Sequence, residues 1–170
     1  MANTTPDTMS VRDRLKARLR PIARMTICDD PDVKQNLRTA EFTLRSAEAE
    51  QKANPTPATR AAVKKAKTDL EAAQTAFDKA TIVLRFQALE RPVWEALRAK
   101  HKPTEEQAED GQMFNAETLA PELIAAASLD GITIDEARDY LNTWGTGEAL
   151  TLYNTAFNVQ GETRMDVGKG

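Results

Sequence analysis

Residues 33–51, VKQNLRTAEFTLRSAEAEQ, and residues 63–84, VKKAKTDLEAAQTAFDKATIVL, carry the pattern that decides this fold. In the first stretch Val33, Leu37, Ala40, Leu44, Ala47 and Gln51 recur at spacings of 4, 3, 4, 3 and 4. In the second, Val63, Ala66, Leu70, Ala73, Phe77, Ala80 and Leu84 recur at 3, 4, 3, 4, 3 and 4. A repeat averaging 3.5 residues keeps one seam on one side of a helix, so each stretch predicts an α-helical arm of about three heptads with a coiled-coil-like face. Between the arms, Asn54-Pro55-Thr56-Pro57 reverses the chain, because each proline disfavours helical geometry in the residue before it. Arms of about 20 residues rising 1.5 Å per residue make a hairpin roughly 30 Å long. Alternating Ala with Leu or Phe lets the two backbones approach closely.

The flanks of the hairpin read as strands. Ile22 to Cys28 alternates and ends at the turn signal Asp29-Asp30-Pro31. Thr81 to Ala88 alternates more cleanly, with Ile82, Leu84, Phe86 and Ala88 on one face and Val83, Arg85 and Gln87 on the other. Helix and strand compete for residues 81–84, and the β-branched run Thr81-Ile82-Val83 favours strand. Two isolated strands need each other, so an antiparallel pairing is predicted. Ahead of them, Ser10 with Asp13 starts a short helix carrying Val11, Leu15 and Leu19, which Pro21 stops.

The C-terminal half reads as short, capped helices. Val93, Trp94, Leu97 and His101 form a stripe after Pro92, which a first helical turn tolerates. Thr104 with Gln107 and Thr133 with Glu136 match the capping box. Thr118 is the expected cap for the helix through Leu123, Ile124 and Ala127, because that start leaves Pro121 in the first turn, where no hydrogen bond is lost. Ala137, Tyr140, Leu141 and Trp144 form the next stripe, ended by Gly145. Thr146 is then the expected cap of a last helix presenting Leu150, Tyr153 and Phe157. The fold class that follows is mainly α: an antiparallel helical hairpin flanked by a two-stranded antiparallel β ribbon and followed by a compact bundle of short helices. The expected divisions are a basic helix and strand over 1–30, the hairpin over 31–80, a strand plus helical domain over 81–160, and a flexible tail over 161–170.

Composition narrows the function classes. Aromatic residues make up only 5% and the 41% hydrophobic share leans on alanine, so packing is helix against helix at close range. No apolar run reaches the ~18 residues of a membrane span, and residues 1–10 lack the apolar stretch of a signal peptide. One cysteine, Cys28, permits neither an internal disulfide nor a zinc cluster. Net charge is −3 but lopsided: residues 1–102 hold 20 Lys/Arg against 13 Asp/Glu, a net of +7, and residues 103–170 hold 3 against 13, a net of −10. Such a split either gives opposite fields that steer partners and self-association or is simply solvated charge at both ends. Arg12, Arg14, Lys16, Arg18 and Arg20 suit phosphate contacts, yet no aromatic residue is interleaved for base stacking. Nucleic-acid binding is therefore not favoured over a basic helix that is exposed or docks on the acidic half of a neighbour.

The catalytic inventory is thin. His101 is the sole histidine and closes a helix, where a cation complements the dipole. Glu105, Glu106, Glu109 and Asp110 lack the alternating ligand pattern of a calcium loop and read as a solvated acidic turn. Cys28 beside Asp29 and Asp30 sits in the wrong field for a thiolate nucleophile. Neither Gly145-Thr146-Gly147 nor Gly168-Lys169-Gly170 has the spacing of a phosphate loop. No cofactor, metal or catalytic group is expected. The candidate residues are instead apolar, for binding a partner: Met113 and Phe114, two large side chains in a polar linker that either tuck into the core of the C-terminal helices or form an exposed patch, together with Trp144, Tyr153, Phe157 and Met165.

Several strings carry a resemblance. Arg85-Phe86-Gln87-Ala88-Leu89, Trp94-Glu95-Ala96-Leu97, Pro103-Thr104-Glu105-Glu106-Gln107, Ala120-Pro121-Glu122-Leu123-Ile124-Ala125-Ala126-Ala127 and the terminal Val167-Gly168-Lys169-Gly170 resemble the tail assembly chaperones of long-tailed phages and prophages of actinobacteria. The resemblance covers about half the chain; the first 84 residues match in layout only. It implies a non-enzymatic factor of virion assembly that acts in the host cytoplasm and is absent from the mature virion. Its implied clients are the tape measure protein and the tail tube protein. It also implies a longer form made by ribosomal frameshifting near the end, with which Gly168-Lys169 is compatible. The alternative expectation is a structural virion or adaptor protein that oligomerises through its hairpin, with self-association along residues 33–80.

Overall fold

The computed structural model describes residues 9–162. In chain order these form α1 (Val11–Lys16), β1 (Ile22–Cys28), α2 (Pro31–Ala53), α3 (Pro57–Ala80), β2 (Thr81–Gln87), α4 (Arg91–Lys100), α5 (Glu105–Glu109), α6 (Ala116–Ala127), α7 (Ile134–Thr143) and α8 (Thr146–Asn158), with a 3-10 turn at Val159–Gly161. The chain divides into two compact units, residues 26–83 and the remainder. β1 and β2 pair antiparallel as a two-stranded ribbon.

The unit of residues 26–83 is the hairpin. Asp30 opens α2 by accepting hydrogen bonds from the Asp32 and Val33 amides at 2.9 and 3.0 Å. Thr56 and Thr59 open α3 with a reciprocal capping box, and Thr59 Oγ1 also donates to the Asn54 carbonyl at 2.9 Å, fixing the reversal around Pro55. In α2 the positions screened from solvent are Val33, Leu37, Ala40, Leu44, Ala47 and Gln51, which is the heptad seam and nothing else. In α3 they include Val63, Ala66, Leu70, Ala73 and Phe77, with Val63 and Ala66 fully inside. Ala80 departs from the expected seam and is exposed, because α3 gives way to β2 at the next residue. Most seam positions are only half-buried, as two helices alone leave the edges of a seam open. Lys67 and Glu48 bridge the arms at 3.9 Å, an exposed pair that contributes little.

The other unit is built around α6. Phe86, Leu119, Leu123, Ile124, Leu152 and Val159 are its fully buried large side chains, each contributing about 1.5–3 kcal/mol on leaving water. Ala127, Ala137 and Ala156 are buried with them and let α7 and α8 close on α6. The alternation of β2 is realised only at this end. Phe86 and Ala88 are buried, whereas Ile82 and Val83 are exposed, since a bare ribbon offers no layer to cover them. Phe86 also forms an antiparallel bridge with Ser128, and the Leu129 amide donates to the Arg85 carbonyl at 2.9 Å.

Several local expectations are corrected. α1 ends at Lys16, so Leu19 lies beyond it; the chain must extend there for the Arg20 guanidinium to donate to the Ala88 carbonyl at 2.9 Å. α6 is capped by Asn115, not Thr118: the Asn115 carboxamide oxygen accepts from the Glu117 and Thr118 amides. Pro121 therefore lies inside the helix, where its missing N–H costs one i to i−4 bond, to the exposed Glu117. Thr146 is the first helical residue of α8 and Gly145 is its cap. The Trp144 amide still closes α7 on the Tyr140 carbonyl, and only Trp144 and Gly145 lie between the two helices. Leu150 is exposed; the buried stripe of α8 is Leu152 and Ala156, continued by Val159.

Candidate partner-binding surface

Two features among α4–α8 gather exposed and half-exposed apolar side chains. The first is an aromatic cluster centred on Phe157. Tyr153 lies one helical turn before it on α8, with ring centroids 5.5 Å apart. Trp94, from the inward stripe of α4, meets Phe157 edge-on at 5.8 Å and 77°. Phe114 approaches from the loop before α6 at 5.6 Å. Such pairs add about 0.5–1.5 kcal/mol each beyond area burial. Arg98, one turn after Trp94, lays its guanidinium carbon 5.2 Å from the indole centroid. Burial pushes the Tyr153 hydroxyl pKa up from its ordinary value.

The loop that delivers Phe114 is fixed at both ends. α5 ends in a Schellman motif: the Gln112 amide donates to Gln107 at 2.8 Å and the Gly111 amide to Ala108 at 3.0 Å. Gly111 sits at φ +79°, which a side chain would strain. At the far end the Asn115 amide donates to the His101 carbonyl at 2.9 Å. Met113, between these anchors, is 77% exposed.

His101 is buried at the end of α4. Its Nδ1 pairs with Thr118 Oγ1 at 3.0 Å, and Thr118 Oγ1 donates in turn to the Asn115 carbonyl. Nδ1 is then the donor to Thr118. His101 Nε2 lies 3.4 Å from Glu122 Oε2, near enough for attraction but not aligned as a hydrogen bond. Lys100 Nζ donates to both Glu122 oxygens, at 2.8 and 2.7 Å. The Lys100 hydrogen bond, opposed by burial and aided by His101, holds the Glu122 carboxyl below the usual carboxylate range. This knot ties α4 to α6. His101 thus closes α4 as a buried residue, bonded through its ring to Thr118.

The second feature is an open groove between α4 and α6 of about 560 Å³. Pro92, Val93, Ala96 and Leu97 line one wall and Ala126 the other, with the Lys100–Glu122 pair at one end. Val93, expected in the packed stripe of α4, is 49% exposed and faces this groove.

Of the six residues singled out from sequence, Phe114, Tyr153 and Phe157 come together. Trp144 stands apart, stacked on Tyr140 at 4.8 Å and 20°. Met113 borders Phe114 but projects outward. Met165 lies outside the described residues, as does most of the tail expected over 161–170; Gly161 closes the 3-10 turn. Trp94, Arg98 and the groove alanines were missed. Trp94 was visible as a stripe residue, but nothing local links it to Phe157. Among the described residues no cluster of three or more His, Cys, Asp or Glu side chains is placed to hold a metal ion. No described helix is long and apolar enough to cross a membrane. No family model matches the chain, and neither a curated protein nor a solved structure matches it.

Proposed function

We propose that this protein is a non-enzymatic phage tail assembly chaperone, which shields apolar helical stripes of tape measure or tail tube subunits in the host cytoplasm until they polymerise. The observation that carries the reading is the α4–α6 groove: a mainly apolar channel open to solvent, lined by Val93, Ala96, Leu97 and Ala126 and of a volume suited to successive side chains of one amphipathic helix. Small groove residues give modest burial, hence modest affinity, which suits release of a client. The strings shared with the resembled family include Trp94-Glu95-Ala96-Leu97 and Ala120 to Ala127, which supply most of the groove. The test is co-expression of a tape measure protein with this chain and with Val93→Asp. The parent should keep the client soluble and co-purify with it, and the variant should fold but lose it. Equal recovery of client with both chains, or with neither, would overturn the assignment.

The hairpin favours a second reading, a structural virion or adaptor protein that oligomerises through its arms. Phe42 is exposed on α2 away from the seam, and the seam itself is only half-covered. Mass spectrometry of purified particles separates the two: a chaperone is absent, an adaptor stoichiometric.

A further inference from the structure

α1 buries none of its residues. Val11 and Leu15 share one face, 72% and 60% exposed, and with Arg14 and Arg18 they line a single shallow surface groove. From Ser10 to Arg20 the chain carries five cations, Arg12, Arg14, Lys16, Arg18 and Arg20, against Asp13 alone. Residues 103–162 are the opposite: twelve carboxylates and one cation, Arg138, which is already paired with Asp135 at 2.6 Å.

Within that acidic region α6 and α7 border an open concavity of about 440 Å³. Pro121 and Leu141 give it an apolar floor, and His101, Glu117, Glu122 and Arg138 stand among its walls, Glu122 being held by Lys100 and Arg138 by Asp135. Glu117 is exposed and has no ion-pair partner among the described residues. The concavity is large enough for one leucine side chain, and among its charged lining residues the one outside an ion pair, Glu117, is negative.

We propose that α1 of one molecule docks in the α6–α7 concavity of a second copy, with Leu15 on Pro121 and Leu141 and with Arg14 and Arg18 facing Glu117. Charge complementarity selects this occupant: the docking segment is the most basic stretch of the chain and the receiving surface lies in its most acidic region. Burying Leu15 removes apolar area from water, and the pairing of exposed charges sets orientation and encounter rate more than affinity. Reciprocal docking of two copies closes a two-fold dimer with both α1 helices engaged, leaving no open end for growth. Because the charged groups lie at the rim, the association weakens as salt screens them.

The test uses the full chain. Light scattering and sedimentation across a concentration series should give a dimer at low salt that dissociates as ionic strength rises. Leu15→Asp should raise the dissociation constant at least about tenfold, with an unchanged thermal melt because Leu15 is exposed. Glu117→Lys should weaken the dimer as well, and Arg14→Glu combined with Glu117→Lys should recover part of the loss. Placing a photoreactive residue at position 15 of an isotopically light copy, mixed with heavy wild-type protein, should join light α1 to heavy α6 or α7 peptides. A monomer at near-millimolar concentration in low salt overturns the proposal. So do cross-links confined to one molecule, cross-links to the hairpin, or a dimer indifferent to Leu15→Asp.

Discussion

Phe157 is the ring on which Trp94 closes edge-on at 5.8 Å, so α8 and α4 are held together by a contact between residues far apart in sequence. Phe114 and Tyr153 touch the same ring at 5.6 and 5.5 Å. One side chain therefore receives three aromatic neighbours from three segments. Phe157→Ala is expected to cost about 3 kcal/mol, toward the low end of the range for aromatic truncation because the ring is only half-buried. A Trp94→Ala and Phe157→Ala double-mutant cycle should give a coupling of about 1 kcal/mol. Urea denaturation of the four proteins measures both. Met113→Ala, on the exposed neighbour of Phe114, should shift stability by less than about 0.5 kcal/mol.

Asn115 and Thr118 divide labour at the start of α6, and substitution separates their roles. Asn115→Ala removes the acceptor for the Glu117 and Thr118 amides and should lower stability by about 1 kcal/mol. Thr118 caps nothing, but its hydroxyl is the partner of buried His101 Nδ1. Thr118→Ser should be tolerated, and Thr118→Val should cost about 1–3 kcal/mol by leaving the imidazole nitrogen unpaired. Chemical denaturation decides this, since a Thr118 cap would make serine and asparagine equally good replacements.

The hairpin was legible because its signal is local and repeated. Spacing alone picked out the α2 positions that are screened from solvent, and the β-branched run at Thr81-Ile82-Val83 located the change from helix to strand. The capping boxes at Thr104 and Thr133 were legible for the same reason: donor and acceptor lie three residues apart. Two kinds of feature were not. Where neighbouring residues could each cap, as with Asn115 and Thr118, the choice turned on Thr118 being taken by His101, a contact across the fold. The site depends on similar long-range meetings. Phe114, Tyr153 and Phe157 were visible as large residues in polar surroundings, but their convergence with Trp94 follows from how the helices stack. The groove was hidden because alanines at its wall read as packing.

Three carboxyls set the acid limb of the stability curve. Glu122 is held below the ordinary range chiefly by Lys100, Asp130 by the Arg85 side chain and backbone amide, and Glu136 by the Thr133 amide and hydroxyl of its capping box. A carboxyl whose pKa is lower folded than unfolded binds fewer protons in the folded state. Its contribution is therefore present above the unfolded range near pH 4 and is lost as pH falls through the lower folded value. Stability should drop as pH goes below about 4, and Asp130→Asn should flatten that drop. Asp130 receives the Arg85 amide at 2.6 Å and the guanidinium at 2.6 and 3.0 Å, so the flattening also reports this staple between β2 and the α6–α7 loop. Urea midpoints of the parent and the variant, followed from neutral pH into the acid range, measure it.

Ala66 tests how the hairpin arms meet. It is 3% exposed on α3, at a seam position. Close approach of two backbones through alanine makes such a position intolerant of size. Ala66→Leu should overpack the seam and cost about 1–3 kcal/mol. Ala62, four residues earlier and exposed on the same helix, is the control. Ala62→Leu adds the same volume to solvent, leaves helix propensity nearly unchanged, and should move stability by less than about 0.5 kcal/mol. Thermal melts followed by far-ultraviolet circular dichroism, where α2 and α3 supply much of the helical signal, distinguish the two. A stabilised Ala66→Leu protein would mean that the arms stand far enough apart to admit a larger side chain, and that the alanines of the seam serve an approach other than the one between α2 and α3.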